Sequence, residues 1–380
     1  MKYVKAIFCV VLLLVLASNI WSMSKWSESR GVYDDICYLR QAHLFKRFGL
    51  GGIDTNIARD DDQYLAERLK EINYPTWNDP ATAPCHVVMA GSGKRVMQYP
   101  PGTGFVLSLF PEGFQVIPLY VLTSVVAAGF AMFAINLATN ISTLALAGAC
   151  GIVAIYLMVN PTKASYSVAP TMIVCAFAGL VTAWLFSAPA RNRWTLWAVV
   201  GLLIGLSVSF RLPNLLLASG YCLFLLAAFL VARNRQTFLA GLSFGVAFLI
   251  GLTPTLIANA VNAGSPFATT YGSADVVPPE IDASVLRLYL LNLQFGLLLI
   301  AVIWTAALWR FAGRGGKQLA WLVAANLAVN LVFFATHPIF TPYYIMPVVS
   351  LSLWTLLFVT LLSHRALITD GVRPWQEAIA

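Results

Sequence analysis

The chain has 380 residues, 59% of them hydrophobic and only 11% charged, with a formal net charge of +8. Apolar runs of about 20 residues, long enough to cross the hydrocarbon core of a bilayer, recur from Phe114 onward, so this is a polytopic membrane protein and not a soluble globular domain. The cations sit at the ends of those runs, which makes the positive charge a topology signal and argues against nucleic acid as a partner.

About ten transmembrane helices are expected in an all-α, single integral membrane domain. They run Val4–Trp21, Phe114–Leu137, Ile141–Val159, Val168–Ser187, Trp194–Phe210, Leu212–Ala232, Thr237–Ala258, Val285–Trp309, Leu319–Ala335 and Tyr343–Leu362. If these alternate, Lys2, Lys5, Arg191, Arg193, Arg233, Arg235, Arg310, Arg314, Lys317, Arg365 and Arg373 fall on one side. Lys and Arg near span ends resist translocation, so that side is the cytoplasm, and both termini lie there. A cleaved signal peptide is the alternative for the first run, because small residues Ala17 and Ser18 follow its apolar core.

The layout is then an extracytoplasmic loop at 22–103, a bundle at 104–362 and a cytoplasmic tail at 363–380. In the loop, Asp34–Phe48 has the period of an amphipathic helix, with Tyr38, Ala42 and Phe45 on one face and Arg40, His43 and Arg47 on another. Such a helix is expected to lie flat in the membrane interface. A second helix is expected over Asp61–Ile72, with Asp60 and Gln63 spaced like a capping box. Cys37 and Cys85 are the two loop cysteines, and outside the cytoplasm they could pair. The loop returns to the membrane through Tyr99-Pro-Pro-Gly-Thr-Gly104, which its prolines keep from being a regular helix.

No acid lies between Gly113 and Ala274, and Asp34-Asp35 is the first acidic pair after the first span. At head-group depth, Asp34 or Asp35 can take a proton from an attacking hydroxyl; the plainer reading is a helix cap. Asp60-Asp61-Asp62 reads as capping before metal binding, and no metal site is assigned. Arg211 interrupts an apolar stretch and is a candidate phosphate clamp, with Lys163 and Arg287 as weaker candidates for the same task. Tyr38, Tyr99, Tyr166 and His337 complete the candidates for substrate contact.

Tyr33-Asp34-Asp35-Ile-Cys-Tyr38-Leu-Arg40, the Tyr99–Gly104 elbow, Ser209-Phe-Arg211-Leu-Pro-Asn214, Asn262-Ala-Gly-Ser-Pro-Phe267 and Pro342-Tyr-Tyr-Ile-Met-Pro347 together resemble the GT-C glycosyltransferases. The nearest group is the bacterial relatives of protein O-mannosyltransferases and of the lipid A aminoarabinose transferase. The resemblance implies transfer of a sugar from a polyprenyl-phosphate donor to a glycan, lipid or protein acceptor outside the cytoplasm, in the inner membrane. It also implies Asp34, ahead of Asp35, as general base for an inverting displacement. Many relatives carry an acid where this chain has Pro170-Thr171, and an Arg where it has Phe340-Thr341; both departures leave the substrate class open, and the first also leaves use of a divalent cation open. A transporter or flippase of a lipid-linked sugar is the alternative from another class; a polymerase or ligase of lipid-linked glycans is a third.

Overall fold

The computed structural model describes residues 1–27, 33–159, 165–187, 193–271, 278–337 and 342–369. Among the described residues, nine helices are long and apolar enough to cross a membrane. The first is α1 (Lys2–Met23), which is followed by the loop. The loop carries α2 (Tyr33–Phe48), α3 (Tyr64–Glu71), the strands β1 (His86–Val88) and β2 (Arg95–Met97), and α4 (Gly102–Ser108). The strands pair antiparallel, with His86 opposite Met97.

The bundle follows with α5 (Val116–Leu137), α6 (Ile141–Val153), α7 (Val168–Ser187), α8 (Arg193–Val208), α9 (Ser219–Ala232) and α10 (Arg235–Ala263). It ends with α11 (Ala283–Leu290), α12 (Leu293–Phe311), α13 (Arg314–Thr336) and α14 (Met346–Thr369). Local chemistry sets these ends. Asn140 caps α6 through Thr143 N at 2.8 Å, and Asn234 caps α10 through Thr237 N at 2.9 Å. Two expected spans come out differently. Val285–Trp309 is split into α11 and α12, because the Asn292 side chain accepts from Gln294 N and starts a new helix. Arg211 is extended, with φ −152° and ψ 128°, and Pro213 opens a 3-10 turn over Leu212–Ala218 before α9 begins.

The tenth expected span is α8, with 16 residues too short to meet the length for crossing by itself. Its packing is close and directional. A Cβ on Gly201 would collide with the Phe244 carbonyl, and one on Gly205 with the Phe248 carbonyl four residues further on. The register rises together on both helices, so α8 and α10 lie parallel with α9 returning between them, a seam of small residues that lets backbones touch.

The loop helix α2 differs from the flat amphipathic helix expected. Ile36, Tyr38, Leu39, Ala42 and Leu44 are buried, and so are Arg40, on the expected polar face, and Gln41. The physical reason is that the polar side chains have internal partners. The Arg40 guanidinium donates to the carbonyls of Thr55 and Asn56 at 3.1 Å each, to Asp60 Oδ1 at 3.2 Å and to His86 Nε2 at 3.0 Å. Gln41 Oε1 accepts from Gly104 N. Helix α2 is therefore the core of a small folded layer. A disulfide between Cys37 and Cys85 ties it to the start of β1. Helix α3 begins at Tyr64, later than expected, and Asp60 serves it by accepting from Leu65 N in addition to binding Arg40.

Candidate active site

The five segments that carried the resemblance meet where the loop layer rests on the bundle. Gly102 N donates to the Ser209 carbonyl at 2.7 Å, and Thr103 Oγ1 to the Phe210 carbonyl at 3.1 Å, so the elbow is bonded to the Ser209–Arg211 break. Both glycines of the elbow are needed for this approach, since a Cβ on Gly102 would strike Ser209 and one on Gly104 would strike Gln41. Asn214 Nδ2 braces the same break through the Ser207 carbonyl at 2.8 Å and Thr171 Oγ1 at 3.0 Å. Asn262, at the end of α10, accepts from Thr55 N and Oγ1 while donating to the Ile53 carbonyl.

On this frame, Asp34 is partly buried at the start of α2 and accepts a 2.6 Å hydrogen bond from the Tyr99 hydroxyl. The Tyr99 ring stacks on Tyr38 with centroids 4.8 Å apart. Tyr38 in turn lies within electrostatic reach of the Ser165 and Ser167 hydroxyls, which bond to each other at 2.9 Å, and of the charges of both Arg211 and Asp34. Arg211 is buried and lies over the rings of Tyr343 and Tyr344 at 5.2 and 4.8 Å, with the Tyr343 carbonyl at 3.5 Å. Among the described residues no carboxylate lies within ion-pair reach of Arg211. The result is a carboxylate and a guanidinium set at one tyrosine-lined site.

The electrostatics follow from burial. Desolvation raises Asp34 above the ordinary carboxylate range, and the Tyr99 hydrogen bond opposes that rise. Burial pushes the Tyr38 phenol up to about 12, so it is neutral and a donor at physiological pH. Tyr99 is raised further, by burial first and then by the negative charge it would create beside Tyr38 and Asp34.

Several candidates are not part of this group. Asp35 is buried, and one helical step turns it about 100° from Asp34, so the pair divides. Tyr166 is buried with its ring edge-to-face against Tyr120; its flanking serines, Ser165 and Ser167, reach Tyr38 instead. His337 stacks on Phe333 and bonds to its carbonyl, closing the end of α13. Arg287 is exposed on α11 and joins none of the contacts that assemble the site. Lys163 lies outside the described residues.

Asp61 and Asp62 pair with Arg47, and Asp62 and Glu112 flank the His43 ring. Among the described residues no three His, Cys, Asp or Glu side chains gather as a metal-holding group. Sequence reasoning missed Ser165, Ser167, Tyr343 and Tyr344. The two tyrosines lay inside a quoted motif, and the serines were one residue from a named candidate.

Comparison with protein-family models, with characterised proteins and with solved structures finds no match for this chain.

Proposed function

We propose that this protein is a membrane glycosyltransferase that moves a sugar from a polyprenyl-phosphate donor to a hydroxyl outside the cytoplasm. The observation that carries the reading is the pairing, at one site, of a partly buried carboxylate with a buried guanidinium that has no carboxylate partner among the described residues. In this reading the acceptor oxygen attacks the anomeric carbon, its proton passes to Asp34, and the bond to the phosphate oxygen breaks with its electron pair on the phosphate. Arg211, cushioned by Tyr343 and Tyr344, holds that phosphate and stabilises the charge it gains. Tyr99 positions the carboxylate. Displacement from the face opposite the phosphate inverts the anomeric centre.

The topology that goes with this reading has ten spans, with α8 counted, and both termini in the cytoplasm of a bacterial inner membrane. Two observations favour it: α8 lies parallel to α10, and Cys37 is joined to Cys85, a bond that persists in oxidising compartments. A transporter coupled to protons is less well supported, because no acid lies between Gly113 and Ala274 to carry them through the membrane.

The test is transfer by purified protein in nanodiscs from a short-chain polyprenyl-phosphate sugar. Asp34→Asn should lower turnover by about 10²- to 10⁴-fold, the usual worth of a general base. Arg211→Ala should weaken donor use more than Arg211→Lys does. Full activity in Asp34→Asn would sink the assignment of the base, and unchanged donor kinetics in both Arg211 variants would remove the clamp.

A further inference from the structure

At the end of α9 remote from the Arg211 break, about 20 Å of helix away, lies a cavity of about 850 Å³. Its back wall is one face of α9, where Phe224, Ala227, Ala228 and Val231 recur three and four residues apart. Across from them stand Trp309 at the end of α12 and Lys317 and Trp321 at the start of α13. Trp321 packs on Phe224 with ring centroids 6.0 Å apart and closes the inner end. The outer end is open, since Val231 is 87% exposed and Trp309 50%.

The rim is positive. Lys317 lines the cavity, Arg233 and Arg235 flank the lining residue Asn234 in the chain, and Arg310 follows Trp309; all four are exposed. Neither 113–274 nor 283–369 contains an acid, so the helices that build this end of the bundle have no carboxylate with which to neutralise them. The nearest acids in sequence are Asp370 and Glu377 of the tail, outside the described residues. A topology signal asks only that cations stay on this side; it does not ask for an open cavity between them.

The occupant must match an apolar wall and a cationic mouth at once. The volume falls within the range of about 300–1,000 Å³ that small-molecule sites span. The helices around it cross a bilayer, tryptophan favours head-group depth, and basic pockets between spans are seats for anionic lipid heads. We infer that this cavity holds an anionic phospholipid, with acyl chain along α9 and Trp309 and phosphate at the Lys317 ammonium. In the proposed topology that lipid belongs to the cytoplasmic leaflet, across the membrane from Asp34. The same pair of helices carries the Arg211 end: Asn326 of α13 accepts from Ser219 Oγ at 3.3 Å, and Asn330 donates to the Leu216 carbonyl at 3.1 Å. A lipid wedged between α9 and α13 therefore steadies the turn that follows Arg211. The inference does not depend on the transferase reading.

Native mass spectrometry of the delipidated full chain in detergent tests this, with dioleoyl phosphatidylglycerol as the anionic probe and dioleoyl phosphatidylcholine, which has the same chains, as the zwitterionic one. The wild type should retain phosphatidylglycerol in preference and melt at a higher temperature with it, as binding to the folded state requires. Lys317→Gln should weaken retention by about 5-fold, the worth of one cation beside an anionic head group. Ala228→Trp should block retention by filling the space in front of α9. Lys46→Gln, the same charge change at an exposed position on α2, should leave retention as it is.

Equal retention of the two lipids by the wild type overturns the inference, as does retention of phosphatidylglycerol that Lys317→Gln and Ala228→Trp both leave unchanged. If only a chain lacking residues 370–380 retains phosphatidylglycerol, the acidic tail is the occupant and the inference falls. Preferential retention of polyprenyl phosphate, lost in the same two variants, would make the cavity a seat for the carrier lipid and overturn it as well. Loss of the lipid site leaves transfer at Asp34 untested and standing, and loss of transfer leaves the lipid site standing.

Discussion

Asp34 is held at a cost to the fold. Burial raises its pKa in the folded chain, so between the ordinary carboxylate value and the folded one the unfolded state binds fewer protons. Its contribution to stability is therefore full at low pH and declines as pH rises through the folded pKa. Asp34→Asn should raise the melting temperature at neutral pH while removing activity, a combination that a plain helix-cap role would not give, since caps stabilise when ionised. The Tyr99 hydrogen bond works in the opposite direction, lowering the Asp34 pKa. Tyr99→Phe should then move the acidic limb of the pH–rate profile to higher pH; an unmoved limb would separate Tyr99 from the base. That Asp34 and Arg211 come to one site could be suspected from the sequence because charges are scarce here and their positions stand out; the roles given to them remain the proposal above. Tyr166, His337 and Arg287 lie apart from the Asp34–Arg211 group, because the direction a side chain faces depends on neighbours far along the chain, such as Tyr120 for Tyr166.

The loop layer depends on a hydrogen-bonded hub. His86 Nδ1 faces the Pro84 carbonyl at 2.7 Å and Nε2 faces the Arg40 guanidinium, which can only donate, so the ring is neutral with its proton on Nδ1. Burial first, and then the charge of Arg40, lower its pKa to about 3. The unfolded chain binds a proton near pH 6.5 and the folded one does not, so the layer should lose stability as pH falls from about 6.5 towards about 3. Limited proteolysis of residues 49–85 across that range measures it, and His86→Gln should flatten the dependence. The helices α2 and α3 were readable from their apolar period, but the hub was not, because nothing in a sequence says that Arg40 points inward. The hairpin had a weak signal, Gly91-Ser-Gly93 between Val87-Val88 and Val96-Met97, and three-residue strands are too short for alternation to be read.

At the scale of the molecule, the seam between α8 and α10 sets the spacing of the site. The end of α8 leads into the Ser209–Arg211 break, and the end of α10 carries Asn262, which grips the loop. Gly205→Leu should force the two apart and destabilise the bundle by about 1–3 kcal/mol, as overpacking does. Gly241→Leu is the control, because a Cβ there meets nothing within 4 Å. Equal melting of the two variants in detergent would show that the seam does not hold the bundle together. Spans were the most legible level of all, since apolar length is a local property; the division of one span at Asn292 was not seen, because a lone Asn interrupts an apolar run without ending it.

The bridge between Cys37 and Cys85 also bears on the order of manufacture. After Cys85 is translated, at least about 300 residues are still to be made, which takes on the order of 15–60 s or more at about 5–20 residues per second. In the proposed topology, with the loop outside the cytoplasm, thiol oxidation can fall within that interval. The cap can thus be sealed before the bundle exists, and each later helix would be fitted against a finished surface.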